Sequence, residues 1–372
     1  YAFSPQAILD ARDTTCFTGI VADAPGEIFP GMEAIAPGAL PAAAETCTTL
    51  RDPDDPFLLL FTGGSTGKPA VWSKTPRNLL SEAAYLCQSL AINGNDIFIS
   101  TVPPQHIYGL LFSVLVPLIA ACVVLPRVYT FPEEIIKAVK EHQATILISV
   151  PAHYRVLKSG GLKKYSLRRA LSSAGVLNKE DADFFYRKTG LDIMEIYGST
   201  ETGGVAKRSR SADKETWRSF ASVDWKISHE RLQVRSDFLS PELPRDKEGF
   251  FITADRAEPA GEQSFILQGR MDAIVKVGGK RVDLAHIQHT LKQIPGVNDA
   301  VVVAMPAHSG RGTGIAALGA GSIDASRVRK QLSENIELYA VPRHIAIVDA
   351  IPLLSTGKYD HTLIEKLLQI KS

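Results

Sequence analysis

The chain has 372 residues, a formal net charge of +1, 45% apolar and 22% charged content. That length favours two domains, and the near-neutral balance excludes a bulk field that would gather nucleic acid or an anionic membrane surface. Cys16, Cys47, Cys87 and Cys122 are scattered without metal or pair spacing and read as buried thiols of a reducing, cytoplasmic setting, while the longest apolar stretch, Leu110 to Leu125, is broken by Pro117 and too short to span a bilayer.

Tyr1 to Asp55 carries little pattern and reads as a lead-in. Phe57 to Phe61 is an apolar run that predicts a buried strand. It feeds Thr62-Gly63-Gly64-Ser65-Thr66-Gly67-Lys68-Pro69. Glycines let the backbone turn its N–H groups toward an anion, and the hydroxyls and the Lys68 ammonium add donors. A phosphate cradle and a plain Gly-rich turn are both open here. A Walker A loop is excluded, because Thr62 and Pro69 occupy its required Gly and Ser/Thr positions.

From Phe57 to Gly198 strands and helices alternate. Thr75 and Pro76 open a helix with Leu79, Ala83, Leu86 and Leu90 on one face. Strands follow at Ile97–Val102, Cys122–Leu125, Thr145–Val150 and Asp192–Tyr197, with helices at Leu110–Ala120, after Pro132, and at Asn178–Thr189 before Gly190. This alternation predicts an α/β fold with a mostly parallel sheet covered by helices. Ligands of such sheets bind at the carboxyl ends of strands, which marks the loops after Phe61, Val102 and Tyr197. Between 203 and 268 short segments suggest a small antiparallel β region. Beyond it lie a hairpin at Gly278-Gly279, helices near Asp283–Gln293 and Ser326–Ile336, and strands Ala300–Ala304 and Ile345–Val348. The expected division is 1–271 for a large domain and 272–372 for a small α+β domain.

Further polar stretches follow predicted strands. Pro103 to Gly109 holds His106, which by itself reads as a loop histidine with a local hydrogen bond. Ser172 to Gly175 is a small-residue turn. Tyr197-Gly198-Ser199-Thr200-Glu201-Thr202-Gly203, Thr253-Ala254-Asp255, Gly269-Arg270-Met271-Asp272 and Ser355-Thr356-Gly357-Lys358 complete the series. Taken in order, these stretches resemble the motifs of the adenylate-forming superfamily, which includes acyl- and aryl-CoA synthetases, peptide-synthetase adenylation domains and luciferases.

The resemblance implies site residues. Thr62, Gly63, Gly64, Ser65, Thr66, Gly67 and Lys68 would grip ATP phosphates. Ala174, Gly175 and Tyr197 would flank adenine, and Asp255 and Arg270 would take the ribose. Thr200 would touch the α-phosphate, Glu201 would hold Mg²⁺, Lys358 and His106 would act in catalysis, and Asp272 would be the hinge of a mobile C-terminal lid. Ala70, Ala254 and His286 depart from the family pattern, and His286 receives no role. Ile107–Pro117 and Leu171–Leu177 would line the acid pocket. Gly109 to Ala121 is uncharged, which points to an aryl or fatty acid rather than an amino acid. The family's longer N-terminal portion implies that this chain is a short form or has lost residues. The implied activity is acid activation to acyl-AMP, then transfer to coenzyme A or to a carrier-protein phosphopantetheine. An adenylating enzyme with a non-thiol acceptor and a non-catalytic nucleotide- or acyl-binding protein stay open as alternatives. A homodimer is also left open.

Overall fold

A computed structural model describes residues 19–21, 33–35, 52–62, 70–159, 161, 163–210, 212–213, 215–277, 280–306, 313–354 and 359–369. Two compact units divide at residues 52 and 53. In the first, β1 (Gly19–Val21) pairs in parallel with β2 (Glu33–Ile35).

The second unit opens with a hairpin. β3 (Leu58–Thr62) and β4 (Ala70–Lys74) pair antiparallel, with Thr62 opposite Ala70. The apolar run around β3 predicts a buried strand, and this expectation is corrected. Leu60 is 8% exposed, but Phe57, Leu59 and Phe61 are 68%, 42% and 42% exposed. The hairpin is a separate two-stranded ribbon, so the alternation of a strand leaves one row of side chains uncovered. Thr75 then caps α1 (Pro76–Ser89) in a reciprocal box with Asn78.

The alternation follows, with α4 and β8 added to the elements read from the sequence: β5 (Ile97–Ser100), α2 (107–120), β6 (Val123–Val128), α3 (Pro132–His142), β7 (Ile146–Ser149), α4 (Pro151–Val156), β8 (Arg169–Ser172), α5 (Lys179–Thr189) and β9 (Ile193–Ser199). The middle turn of α2, Leu111–Leu115, is π-helical. Gly190 closes α5 in the left-handed conformation at φ +68°. Next come β10 (Gly203–Ser209), β11 (Thr216–Ser219), β12 (Asp224–Ser228), β13 (Arg231–Arg235), β14 (Phe251–Gly261) and β15 (Ser264–Arg270).

These strands form one sheet of eleven, in the order β12-β13-β14-β15-β11-β10-β9-β8-β7-β5-β6. From β6 to β9 the pairs are parallel, and from β9 to β12 they are antiparallel. The antiparallel region therefore continues the parallel sheet. Both faces of the parallel half are covered. Phe98, Ile148 and Leu171 pack with α1 and α2, whereas Ile99, Leu147 and Ala170 pack with α3, α4 and α5. Burial on both faces explains why these strands read as unbroken apolar runs. Cys87 and Cys122 are half-buried rather than buried, because both lie near the α1–α2 rim, where their thiols donate to Val116 and Asn93 carbonyls.

A 3₁₀ turn, Met271–Ala273, leads from β15 into the β16 (Ile274–Val277) and β17 (Lys280–Asp283) hairpin. α6 (Leu284–Lys292), β18 (Val297–Pro306), β19 (Thr313–Gly321), α7 (Ala325–Ser333), β20 (His344–Val348) and α8 (His361–Leu367) complete the chain. β18, β19 and β20 form a three-stranded sheet with a separate core on each face. Neither core shares a residue with those around the large sheet.

The two halves of the large sheet meet at a buried ion pair. Arg208 on β10 donates to Glu195 on β9 at 2.6 and 3.2 Å, with side chains 5% and 2% exposed. The Arg208 guanidinium also lies over the Trp217 ring at 4.2 Å. Arg208 also reaches Glu215 at 3.1 Å, so it is removal of the arginine that strands a charge, the buried Glu195 carboxylate. Arg208→Ala should therefore cost about 3–5 kcal/mol in urea denaturation, and a loss below ~1 kcal/mol, the range of exposed pairs, would contradict this role.

Candidate active site

The site is built where β9 reverses into β10. Gly198 and Gly203 make the reversal possible: a Cβ on Gly198 would lie 2.2 Å from the Gly203 carbonyl oxygen, and Gly203 has φ +66°. Within the turn, the Ser199 and Thr202 hydroxyls lie 2.9 Å apart and each accepts the other residue's N–H, at 3.2 and 3.1 Å. These bonds leave the half-buried side chains of Thr200 and Glu201 without a hydrogen-bond partner among the described residues.

Tyr197, just before the turn, packs against Trp217 and Phe265 at centroid distances of 5.5 and 6.1 Å. Its hydroxyl donates to Asp255 Oδ2 at 2.6 Å. Arg270 reaches Asp255 Oδ1 at 3.5 Å and grips both oxygens of Asp272 at 2.8 and 2.5 Å. Burial pushes the Asp255 carboxyl above its ordinary range, against the Tyr197 hydroxyl and the Arg270 charge, which pull it down. Burial likewise raises the Tyr197 phenol, together with the Asp255 charge. Asp272 moves the other way, because Arg270 bonds its ionised form.

The small-residue turn after β8 comes to the same place. Ser173 Oγ donates to the Ile196 carbonyl at 2.8 Å, and a Cβ on Gly175 would meet Pro151 Cγ at 3.7 Å. Ala174 is left-handed at φ +68°, and both Ala174 and Gly175 are exposed. This turn therefore sits between β9 and the start of α4. His106 stands half-buried at the N-cap of α2, after the carboxyl end of β5. Gly109 is required there, since a Cβ would lie 2.1 Å from the Pro103 oxygen.

Tyr197, Asp255, Arg270 and Asp272 thus form one bonded chain, with Thr200 and Glu201 on the adjoining turn. Gly63 to Lys68 and Lys358 lie outside the described residues, as does the Thr62 side chain. Among the described residues no cluster of His, Cys, Asp or Glu would hold a metal ion unaided. Glu201 offers a single hard carboxylate, which fits Mg²⁺ only when phosphate oxygens and water complete its shell.

Sequence reasoning missed Lys74 and Glu82. Lys74 is 0% exposed and donates to the Phe238 and Glu201 carbonyls at 2.7 and 3.3 Å. Glu82, also buried, accepts the Gly204 N–H at 2.6 Å. Burial lowers the Lys74 ammonium to about 8, against the nearby charges of Glu82, Glu201 and Glu242. Burial raises the Glu82 carboxyl, with Lys74 opposing. A signal existed: Glu82 lies on the same helical face as Leu79 and Leu86.

Residues 10–253 match the family model for AMP-binding enzymes, and residues 286–358 match the C-terminal domain model of the same enzymes. The chain belongs to the AMP-binding enzyme family. It is 27% identical over 326 residues to a 2-succinylbenzoate–CoA ligase of Staphylococcus aureus (strain Newman), an alignment that covers 82% of this chain and 66% of that protein. The chain thus spans just under two thirds of the length of that curated relative. ATP-bound MatB from Rhodopseudomonas palustris has a similar fold, with TM-score 0.84 and 20% identity over 98% of this chain and 82% of that one. O-succinylbenzoate coenzyme A synthetase from Bacillus subtilis, in complex with ATP and magnesium, gives 0.81 and 19% over 96% and 81%. These likenesses establish the α/β fold.

The Tyr197 hydroxyl sustains a half-buried, ionisable partner. Tyr197→Phe should cost about 1.5–3 kcal/mol at neutral pH, as for hydrogen bonds to charged groups. Because Asp255 is then raised further, the folded variant binds more protons, and the deficit should grow from pH 4 to pH 7. Denaturation at both pH values checks this; a deficit that shrinks with pH contradicts it.

Proposed function

We propose that this chain activates a carboxylic acid with ATP and passes the acyl group to a thiol. A carboxylate oxygen attacks the α-phosphorus of ATP, the bond to the bridging oxygen breaks, and pyrophosphate leaves. The thiol sulfur then attacks the acyl carbon and loses its proton. AMP departs carrying an oxygen that came from the acid. The bonded chain of Tyr197, Asp255 and Arg270 beside Thr200 and Glu201 carries this reading, because it sets a diol acceptor next to a phosphate-facing turn.

Each residue has a physical task in this scheme. Asp255 accepts the ribose hydroxyls and Arg270 backs it, while Tyr197, Ala174 and Gly175 bound the adenine. Thr200 donates to the α-phosphate. Thr62 to Lys68 supply N–H groups, hydroxyls and one ammonium to the outer phosphates. Lys358 bridges the carboxylate and α-phosphate, and His106 orients the acid. When bound at Glu201, Mg²⁺ supplies neutralising charge. Loss of one charge-stabilising group of this kind costs ~10²–10³ in rate.

Lys358 must clear the way before a thiol enters, so Asp272 serves as a hinge between 1–271 and 272–372. Rotation there requires breaking the Arg270–Asp272 pair, the 3.1 Å bond from Arg155 on α4 to Asp299 on β18, and the 3.3 Å bond from Arg256 on β14 to Asp283. Arg155 and Arg270 are more than a third exposed, and such pairs are worth about 0–1 kcal/mol; Arg256 keeps Glu230 at 3.3 Å, and Asp283 keeps the Ala285 and His286 N–H groups. Asp299 keeps Lys292 and the Tyr359 hydroxyl at 2.7 and 2.8 Å, so no buried charge is stranded. The barrier from these contacts is small.

The acid is an aryl or fatty acid, with aryl acids favoured by the name of the curated relative. The uncharged α2 wall with its π-helical turn supports an apolar pocket. Coenzyme A is the favoured thiol on the same ground, ahead of a carrier-protein phosphopantetheine. The test is pyrophosphate release from ATP and Mg²⁺ across aryl, fatty and amino acids, with hydroxylamine as trap. Release with aryl or fatty acids, yielding AMP and a hydroxamate, is expected. Release of ADP, or silence across the panel, contradicts the reading.

A further inference from the structure

Lys74 and Glu82 lie outside every assigned role, yet they occupy the join between three elements. Lys74 ends β4, the strand that carries the chain away from Thr62 to Lys68. Its ammonium reaches the Phe238 carbonyl at 2.7 Å and the Glu201 carbonyl at 3.3 Å. The Glu201 carbonyl also takes the Ser240 N–H at 2.8 Å. Beside Lys74, Ser73 gives its N–H and its hydroxyl to the two Glu242 oxygens at 2.5 and 2.6 Å. From α1, Asn78 donates to the Asp237 carbonyl at 2.6 Å, and Glu82 takes the Gly204 N–H. A Cβ on Gly203 would lie 2.7 Å from a Glu82 oxygen, so the turn is pressed directly onto this carboxylate.

A buried ammonium is rare in a protein interior and requires acceptors and charge nearby. Here the acceptors are main-chain carbonyls of 238 and 201. We infer that Lys74 is a positioning residue: it fixes the backbone of Glu201 to β4, and so sets where the Glu201 carboxylate meets the metal and phosphates. Glu82 completes the balance by holding the far end of the same turn through Gly204. The tie makes β4 and the Ser199–Gly203 turn one body. This inference rests on the nucleotide-binding reading above and adds a residue that touches neither nucleotide nor acid.

The test separates position from packing. Lys74→Met leaves Glu82 buried without its cationic neighbour and is expected to melt lower. Lys74→Met with Glu82→Gln removes both charges, and its melting temperature should recover most of the loss. Calorimetric binding of ATP with Mg²⁺ and of adenosine is then measured on wild type and the double variant. The double variant should bind MgATP ~10-fold more weakly or worse, about the effect of one charged hydrogen bond. Adenosine, which meets only the Tyr197 and Asp255 region, should bind within ~2-fold of wild type, well under one tenfold step. MgATP affinity equal to wild type overturns the inference, and so does an equal fall for adenosine. Failure of the wild-type protein to bind MgATP would instead overturn the nucleotide-binding reading on which the inference rests, and the inference with it.

Discussion

The reversal of the chain between β9 and β10 is the constraint on which the rest of the structure depends. A parallel sheet ends there and an antiparallel one begins within the same eleven strands. The reversal leaves Thr200 and Glu201 at a strand end, where a parallel sheet exposes its ligand-binding edge. It also brings β14 and β15 round so that Asp255 and Arg270 face Tyr197.

Such a turn must be rigid, and the surrounding interior achieves this with paired charges. Glu195 and Arg208 brace the strands on one side, and Lys74 with Glu82 brace the turn on the other. Each of these groups would be costly to bury alone. Together they supply directional contacts that apolar packing does not. The C-terminal part is attached through ion pairs at Asp272, Asp283 and Asp299.

Much of this was legible in the sequence. Most of the strands and helices from Ile97 to Ser199 follow apolar periodicity, α4 and β8 being too short to be read from it, and Thr75, Pro132 and Gly190 mark helix ends by their local chemistry. Tyr197, Thr200, Glu201, Asp255, Arg270 and Asp272 were legible through the family motifs they resemble, and the structure bonds Tyr197, Asp255, Arg270 and Asp272 in series and sets Thr200 and Glu201 on one turn. What was not legible depends on tertiary context. The β3 run looks buried because a short apolar segment does not reveal how many of its faces are covered. β19, with Gly314, Gly319 and several alanines, has too little β-branched content to read as a strand. The π-helical turn in α2 has no periodic signature, and α8 is too short to show one. Lys74 hides between Ser73 and Thr75 as an ordinary surface lysine would, and only Glu82, misplaced on an apolar helix face, hints at it.

The central claim is that the acid's own oxygen becomes bonded to the α-phosphorus. Mass spectrometry of AMP after turnover with an acid carrying ¹⁸O in its carboxylate, coenzyme A and ATP tests that bond directly. The account predicts AMP bearing one ¹⁸O atom and unlabelled pyrophosphate. Unlabelled AMP, or label in phosphate or pyrophosphate, would contradict it.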